Sequence, residues 1–150
     1  MCNIFDVANY ILSKTGNITA MKLEKLCYYS QVWVLVWSEK PLFNNRIEAW
    51  GKGPVSPELY EWHKGQLIVT SDDKLKSKCE NNITKVEEDM IDKVVLEYGK
   101  FTAQELSDLT HAESPWLEAN SLCSLSSNCQ AEITQAAMHE FYSSLPEKNV

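Results

Sequence analysis

The sequence predicts a mainly α protein: a compact helical domain around a central helix at about 20–38, with a small extended or β-hairpin element near 46–55. Three observations lead there. Between Ala20 and Ser38, Leu23, Leu26, Cys27, Ser30, Val34 and Trp37 line one helical face, and Tyr29, Val32, Trp33 and Val36 line another. A helix apolar on two sides is packed from both. Ile83, Val86, Met90, Ile91, Val94, Val95 and Tyr98 make an apolar stripe with charges opposite, the pattern of an amphipathic helix. Helix starts and stops recur throughout, whereas period-two alternation is confined to Arg46-Ile47-Glu48-Ala49-Trp50.

In chain order, Ile4, Ala8, Ile11 and Leu12 fall at helical spacing over Ile4–Lys14, and Gly16 supplies a stop. Thr19 is placed to cap the central helix. Lys40-Pro41-Leu42 ends it, because the residue before proline is pushed out of the helical region. After the alternating stretch, Gly51, Gly53 and Pro54 force a turn. Ser56-Pro57-Glu58 then opens a short helix holding Leu59, Tyr60 and Trp62, with serine at the cap, proline first and an acid in the first turn. Thr70–Glu80 is polar and lysine-rich without periodicity, and reads as an exposed loop. Thr84 with Glu87 and Thr102 with Glu105 are capping boxes that open the next two helices, and Gly99 closes the first of them. Ser114-Pro115-Trp116 repeats the serine-cap, proline-first start, with Ser114 expected as the cap and Trp116 expected in the core. Leu122–Gln130 is serine-rich and expected to be a loop, and a last helix over about Ala131–Leu145 presents Ile133, Ala137, Phe141 and Leu145.

The 150 residues fit one domain, 1–150, long enough to bury a core without staples, and 44% hydrophobic content excludes disorder as the default. A net charge of −7 argues against nucleic acid as a partner, which would require a basic stripe. The small clusters Lys22/Lys25 and Lys74/Lys76/Lys78 read as solvated faces. Cys2, Cys27, Cys79, Cys123 and Cys129 are odd in number and form no CxxC, so neither a disulfide framework nor a zinc site is expected. The longest uncharged apolar run, Leu26–Ser38, is too short to span a bilayer, so no membrane is expected. Reduced thiols and a start interrupted by Asp6 and Asn9 point to the cytoplasm, and the sequons at Asn17 and Asn82 are then chance matches.

Catalytic signatures are missing: there is no HExxH, P-loop, GxGxxG or GxSxG. Gly51-Lys52-Gly53 looks superficially like a phosphate loop, but Pro54 removes a backbone donor such a cradle needs. His111 and Glu113 form the one candidate acid–base pair, and they carry the alternative reading of a small hydrolase or transferase. Loop residues of this kind are more often caps or surface groups. The expectation is therefore no enzyme, no catalytic residue, no cofactor and no metal.

Three segments carry a resemblance. These are MKLEKLCYYSQVW (Met21–Trp33), PLFNNRIEAWGKGPVSPELY (Pro41–Tyr60) and YGKFTAQELSDLTHAESPW (Tyr98–Trp116). Their patterns K-L-x-K-L-x-Y-Y, W-x-x-G-P-V-x-P-x-L-Y and L-S-x-x-T-H-x-E-x-P-W together resemble the Panacea domain, the family of SocA-like antitoxins and phage-associated proteins. The resemblance covers the chain from roughly the first helix to Trp116 and is weaker beyond. It implies a mostly helical protein that neutralises a toxin by direct binding, the toxin often being encoded in the adjacent gene. It also implies an adaptor variant that delivers the toxin to a protease. A phage or mobile-element module acting on a host protein is the remaining alternative. Gly51-Lys52 stands where family members often place a bulky residue, and the stretch from Leu67 to Ile83 and the segment near Leu125 match the family poorly. Loops of that kind are places where partner choice is encoded.

The candidate partner-binding residues are Tyr29, Trp33, Trp50, Lys52, Val55, Tyr60, His111 and Glu113. Aromatic anchors dominate interfaces, and Tyr28, Tyr29, Val32 and Trp33 exceed what one packing face requires. The competing reading is structural, with Trp50, Pro54, Val55 and Tyr60 holding the turn on the central helix. His111 and Glu113 would bond across to lock it, joining the second and third segments into one rigid patch.

Overall fold

The central helix is enclosed along most of its length, and the remaining elements are arranged by how they cover it. The structure is a computed structural model that describes residues 1–123 and 128–146. In chain order the elements are α1 (Ile4–Thr15), β1 (Ile18–Thr19), α2 (Ala20–Ser38), β2 (Glu48–Trp50), β3 (Gly53–Val55), α3 (Pro57–His63), β4 (Ile68–Val69), α4 (Asp73–Lys78), α5 (Lys85–Tyr98), α6 (Ala103–His111), α7 (Ser114–Ser121) and α8 (Gln135–Ser143). The protein is mainly α, and its described strands form two small antiparallel pairs, β1 with β4 and β2 with β3. No described helix is long and apolar enough to cross a membrane.

Helix α2 starts at Thr19, whose side chain accepts from the Lys22 amide, and packs against α1, α5, α6, α8 and β3. From Leu23 to Leu35 every residue is buried. Burying polar groups without partners is costly, and apart from the Ser30 hydroxyl the buried polar side chains of this helix find bonds in the layer around it. Gln31 does so with the segment after the helix: its Oε1 accepts from the Leu42 and Phe43 amides at 2.8 and 3.2 Å, and its Nε2 donates to the Phe43 carbonyl at 2.7 Å. Glu24 accepts from the Ser56 amide at 3.0 Å and pairs with His63 at 2.7 Å, which fixes both ends of α3.

An aromatic cluster packs on the middle of the helix. Tyr29 stacks on Tyr98 of α5 with ring centroids 4.1 Å apart. Trp33 Nε1 donates to Tyr98 Oη at 2.9 Å. Tyr28 shares a 3.0 Å hydrogen bond with Tyr142 of α8. Glu113 lies beneath them and accepts from Tyr29 at 2.7 Å and Tyr142 at 2.8 Å. Burial is the main cause that pushes the pKa values of Tyr28, Tyr29 and Tyr98 up, so they stay protonated; Tyr29 donates to Glu113, while Tyr98 accepts from Trp33.

Five sequence expectations are corrected. Ser114 is the first residue of α7 and not its cap; Glu113 holds the cap position and makes no side-chain cap bond. Thr70–Glu80 is not simply a loop: Asp72 caps α4 and Leu75 is fully buried. A helix of six residues offers too few positions for a periodic stripe. The last helix begins at Gln135, not Ala131, with Thr134 as its cap. Residues 131–133 instead run beside the hairpin, where Glu132 bridges Glu48 and the Ile133 amide donates to the Ile47 carbonyl at 2.9 Å. That later start puts Met138 and Tyr142 on the buried face. Val86 lies off the α5 stripe and is 66% exposed. Finally, Cys123 and Cys129 are joined in a disulfide with their Cα atoms 5.4 Å apart, although no local cysteine motif announced the pair. The reduced-thiol premise for a cytoplasmic location therefore does not hold for these two residues. The serine-rich loop expected at Leu122–Gln130 lies partly outside the described residues.

Replacing Gln31 with Met keeps the volume and strands two amides and one carbonyl. Gln31→Met is expected to lower the unfolding free energy by about 3 kcal/mol, read as a lower urea midpoint at unchanged slope.

Candidate partner-binding site

The β2–β3 hairpin pairs Glu48 with Val55, Ala49 with Pro54 and Trp50 with Gly53, which leaves Gly51 and Lys52 as its tip. Gly53 is required there by both conformation and space. Its φ is +117°, and a Cβ would stand 2.6 Å from Lys25 Cε and 3.0 Å from Thr110 Oγ1. The hairpin therefore presses directly on α2 and α6.

Its carbonyls are held from behind, almost one by one. Asn120 Nδ2 donates to the Ala49 carbonyl at 3.1 Å, and Trp116 Nε1 donates to that of Trp50 at 2.8 Å. His111 Nε2 lies 2.8 Å from the Gly51 carbonyl, and Ser107 Oγ donates to that of Lys52 at 2.8 Å. Lys25 Nζ donates to that of Pro54 at 3.3 Å. Four of these side chains come from α6 and α7, at positions that helical spacing lines up on one side. The His111 ring also packs on Trp116 at 4.0 Å between centroids, and its Nδ1 faces the Ser107 carbonyl. On the outer side, Trp50 Nε1 donates to Glu48 at 2.8 Å, Arg46 bonds the other Glu48 oxygen at 2.7 Å, and the Trp50 ring meets Tyr60 edge to face at 4.9 Å. The result is a tip whose backbone is fixed and whose Lys52 side chain is exposed.

The eight candidate residues do not form one surface. Lys52 is exposed, and Trp50, Tyr60 and His111 are partly exposed around the tip. Tyr29, Trp33 and Val55 lie in the interior at 0%, 6% and 2% exposure; neighbouring helices take up the aromatic surplus of α2. His111 bonds the turn as expected from the structural reading. Glu113 does not: it turns inward to Tyr29 and Tyr142. The residues proposed as an acid–base pair thus serve different structural sites. Among the described residues, no cluster of His, Cys, Asp or Glu is arranged to hold a metal.

Ser107 and Asn120 were not foreseen, because each bonds a carbonyl more than 50 positions away. Lys25 was misread. Expected on a solvated face, it is fully buried, and the signal was available: a helix apolar on two sides leaves little solvated face for a lysine. Burial, the largest cause, pulls its pKa down from 10.5 to about 8; Glu24 opposes the shift and Lys52 adds to it.

The site is thus a helical scaffold that holds a short hairpin rigid from behind. The chain belongs to the SocA-like antitoxin family: residues 23–117, from α2 to α7, match the model of the "Antitoxin SocA-like, Panacea domain". It is 30% identical over 126 residues to Antitoxin SocA of Caulobacter vibrioides (strain NA1000 / CB15N), a match covering 73% of this chain and 66% of that protein. The chain thus spans just under two thirds of that relative's length. No solved structure matches.

Lys25 makes stability depend on pH. The folded state favours the neutral amine, so the full penalty applies below about pH 8, shrinks as pH rises and vanishes above 10.5, where the unfolded chain is also neutral. Lys25→Met abolishes this titration. The unfolding free energy of the wild type relative to Lys25→Met should therefore rise between about pH 7.5 and about pH 9.5, as measured by chemical denaturation of both proteins. Thiols and tyrosines titrating in that range cancel in the difference.

Proposed function

We propose that this chain neutralises a toxin protein by direct binding, without catalysis, and that the face around the hairpin tip makes the contact. The observation that carries the reading is the clamped tip itself. It lies within the family match, and its backbone carbonyls from Ala49 to Lys52 are each bonded by a side chain of α6 or α7. A surface fixed before encounter loses little conformational entropy on binding. Trp50 and Tyr60 supply the aromatic area typical of interface anchors, and Lys52 supplies a charge at the apex. Beside them, a concavity of about 350 Å³ bordered by Trp50, Tyr60 and Gln130 gives a partner's side chain a place to insert. The partner expected is the product of the adjacent gene. His111 and Glu113 act here through structure: one holds the tip, and the other holds the tyrosine cluster.

The test is co-expression. The neighbouring gene should arrest growth alone and be harmless together with this chain, and the two proteins should co-purify. Lys52→Glu and Tyr60→Ala, both at exposed or half-exposed positions, are expected to weaken binding about tenfold or more while leaving the melting temperature within a few degrees of wild type. No rescue and no co-purification with the wild-type chain would overturn the toxin reading. Full rescue by both variants would move the contact face elsewhere on the molecule.

A further inference from the structure

Apart from Lys52 at its edge, the concavity on the α6 side of the tip has no part in the toxin reading, and its chemistry differs from that of the aromatic side. It encloses about 380 Å³ and is bordered by Lys25 of α2, Gly51 and Lys52 of the tip, and Ala103, Gln104 and Asp108 of α6 among others. Lys25 is the unusual feature. Its side chain is fully buried, yet it borders this cavity. An ammonium has three donors, and among the described residues Lys25 uses one, to the Pro54 carbonyl at 3.3 Å. No carboxylate of the described residues forms an ion pair with it; Glu24 attracts it, but the Glu24 oxygens are taken by the Ser56 amide and His63. Lys52 borders the same space, and its like charge works against that of Lys25. Two cations thus converge on one cavity with only Asp108 of opposite sign on its border, and Asp108 already accepts from Gln104 Nε2 at 2.8 Å.

The first turn of α6 adds to the same field. Ala103 and Gln104 are the first two positions of a nine-residue helix, and first-turn amides have no acceptor within their own helix. The Glu105 amide, the next in line, is taken by the Thr102 cap. A cationic ligand would be repelled by this arrangement, and an apolar one would cover a buried ammonium without giving it an acceptor.

We propose that this cavity binds a small oxyanion, the phosphate or carboxylate group of a small molecule, with Lys25 and Lys52 as its counter-charges. The donors are side chains of two separate elements, so the loss of a backbone donor at Pro54 does not disable the site. An anion there would complete the hydrogen bonding of Lys25 and relieve its repulsion with Lys52. The proposal is independent of the toxin reading and is tested on the full chain alone.

The experiment follows the unfolding midpoint during titration with sodium pyrophosphate and, separately, sodium citrate, against sodium chloride at matched ionic strength. Wild type, Lys25→Met and Lys52→Met are compared. The expected result is a saturable rise in the wild type with at least one oxyanion, with apparent affinity about tenfold weaker in each variant. A response to pyrophosphate alone assigns a phosphate ligand, and a response to citrate alone assigns a carboxylate. Multivalent anions also stabilise proteins generally, by exclusion from their surface. Parallel rises in all three proteins, or no rise above chloride in the wild type, would overturn the proposal. Amide NMR shifts in the wild type provide a second reading that does not depend on how well the variants fold. Saturable shifts clustered at Gly51, Lys52, Ala103 and Gln104 support the site, and shifts clustered elsewhere overturn it.

Discussion

Every polar side chain on the buried length of α2 is enclosed by protein, and for all of them but Ser30 the rest of the fold answers that constraint with a hydrogen bond. Unpaired polar groups in an interior cost more than most single contacts return. Glu24 therefore draws in the start and end of α3, Lys25 the back of the hairpin, and Gln31 the segment after the helix. Tyr28 and Tyr29 reach Tyr142 and Glu113, and Trp33 reaches Tyr98. Apolar contact alone would allow the surrounding helices to slide and rotate. These bonds do not, because each has one partner and one geometry.

The hairpin inherits its rigidity from this arrangement. A three-residue strand pair has little stability of its own. Here α2 lies beneath it, with Lys25 filling the space a side chain at Gly53 would need, while α6 and α7 bond its carbonyls from behind. Gly51 borders a concavity on either side, aromatic toward Tyr60 and cationic toward α6. One rigid ridge thus presents two surfaces of different chemistry. The three sequence segments that carry the resemblance fall on α2, on the hairpin with α3, and on α6 leading into α7, within the matched residues 23–117 apart from the first two positions. Their connection is physical: they are the floor, the ridge and the clamp of one structure.

Local chemistry made much of this legible. Thr19, Ser56, Thr84 and Thr102 cap helices where the sequence placed them, since a cap is a bond between residues three apart. Two-sided apolarity identified α2 as the central helix. Proline and glycine placed the turn at 51–54. Local reasoning failed where an element was too short to show a period, as with α4 and the β1–β4 pair. It failed again at residues 131–133, where pairing with the hairpin took the place of a helical turn.

By itself, the sequence determined the longer helices, most of their caps, the central position of α2 and the resemblance to a family, because propensity, capping and apolar period are properties of neighbouring residues. Tertiary structure alone decided which side chains remain available to a partner. Tyr29 and Trp33 look like anchors in the sequence and are interior; Glu113 looks like a companion of His111 and faces the tyrosines instead. Lys25 has the composition of a surface residue and lies beneath the hairpin. The physical reason is common to all of them. Burial and hydrogen-bond partnership are set by groups tens of residues away, and no spacing rule along one chain encodes which of them will meet.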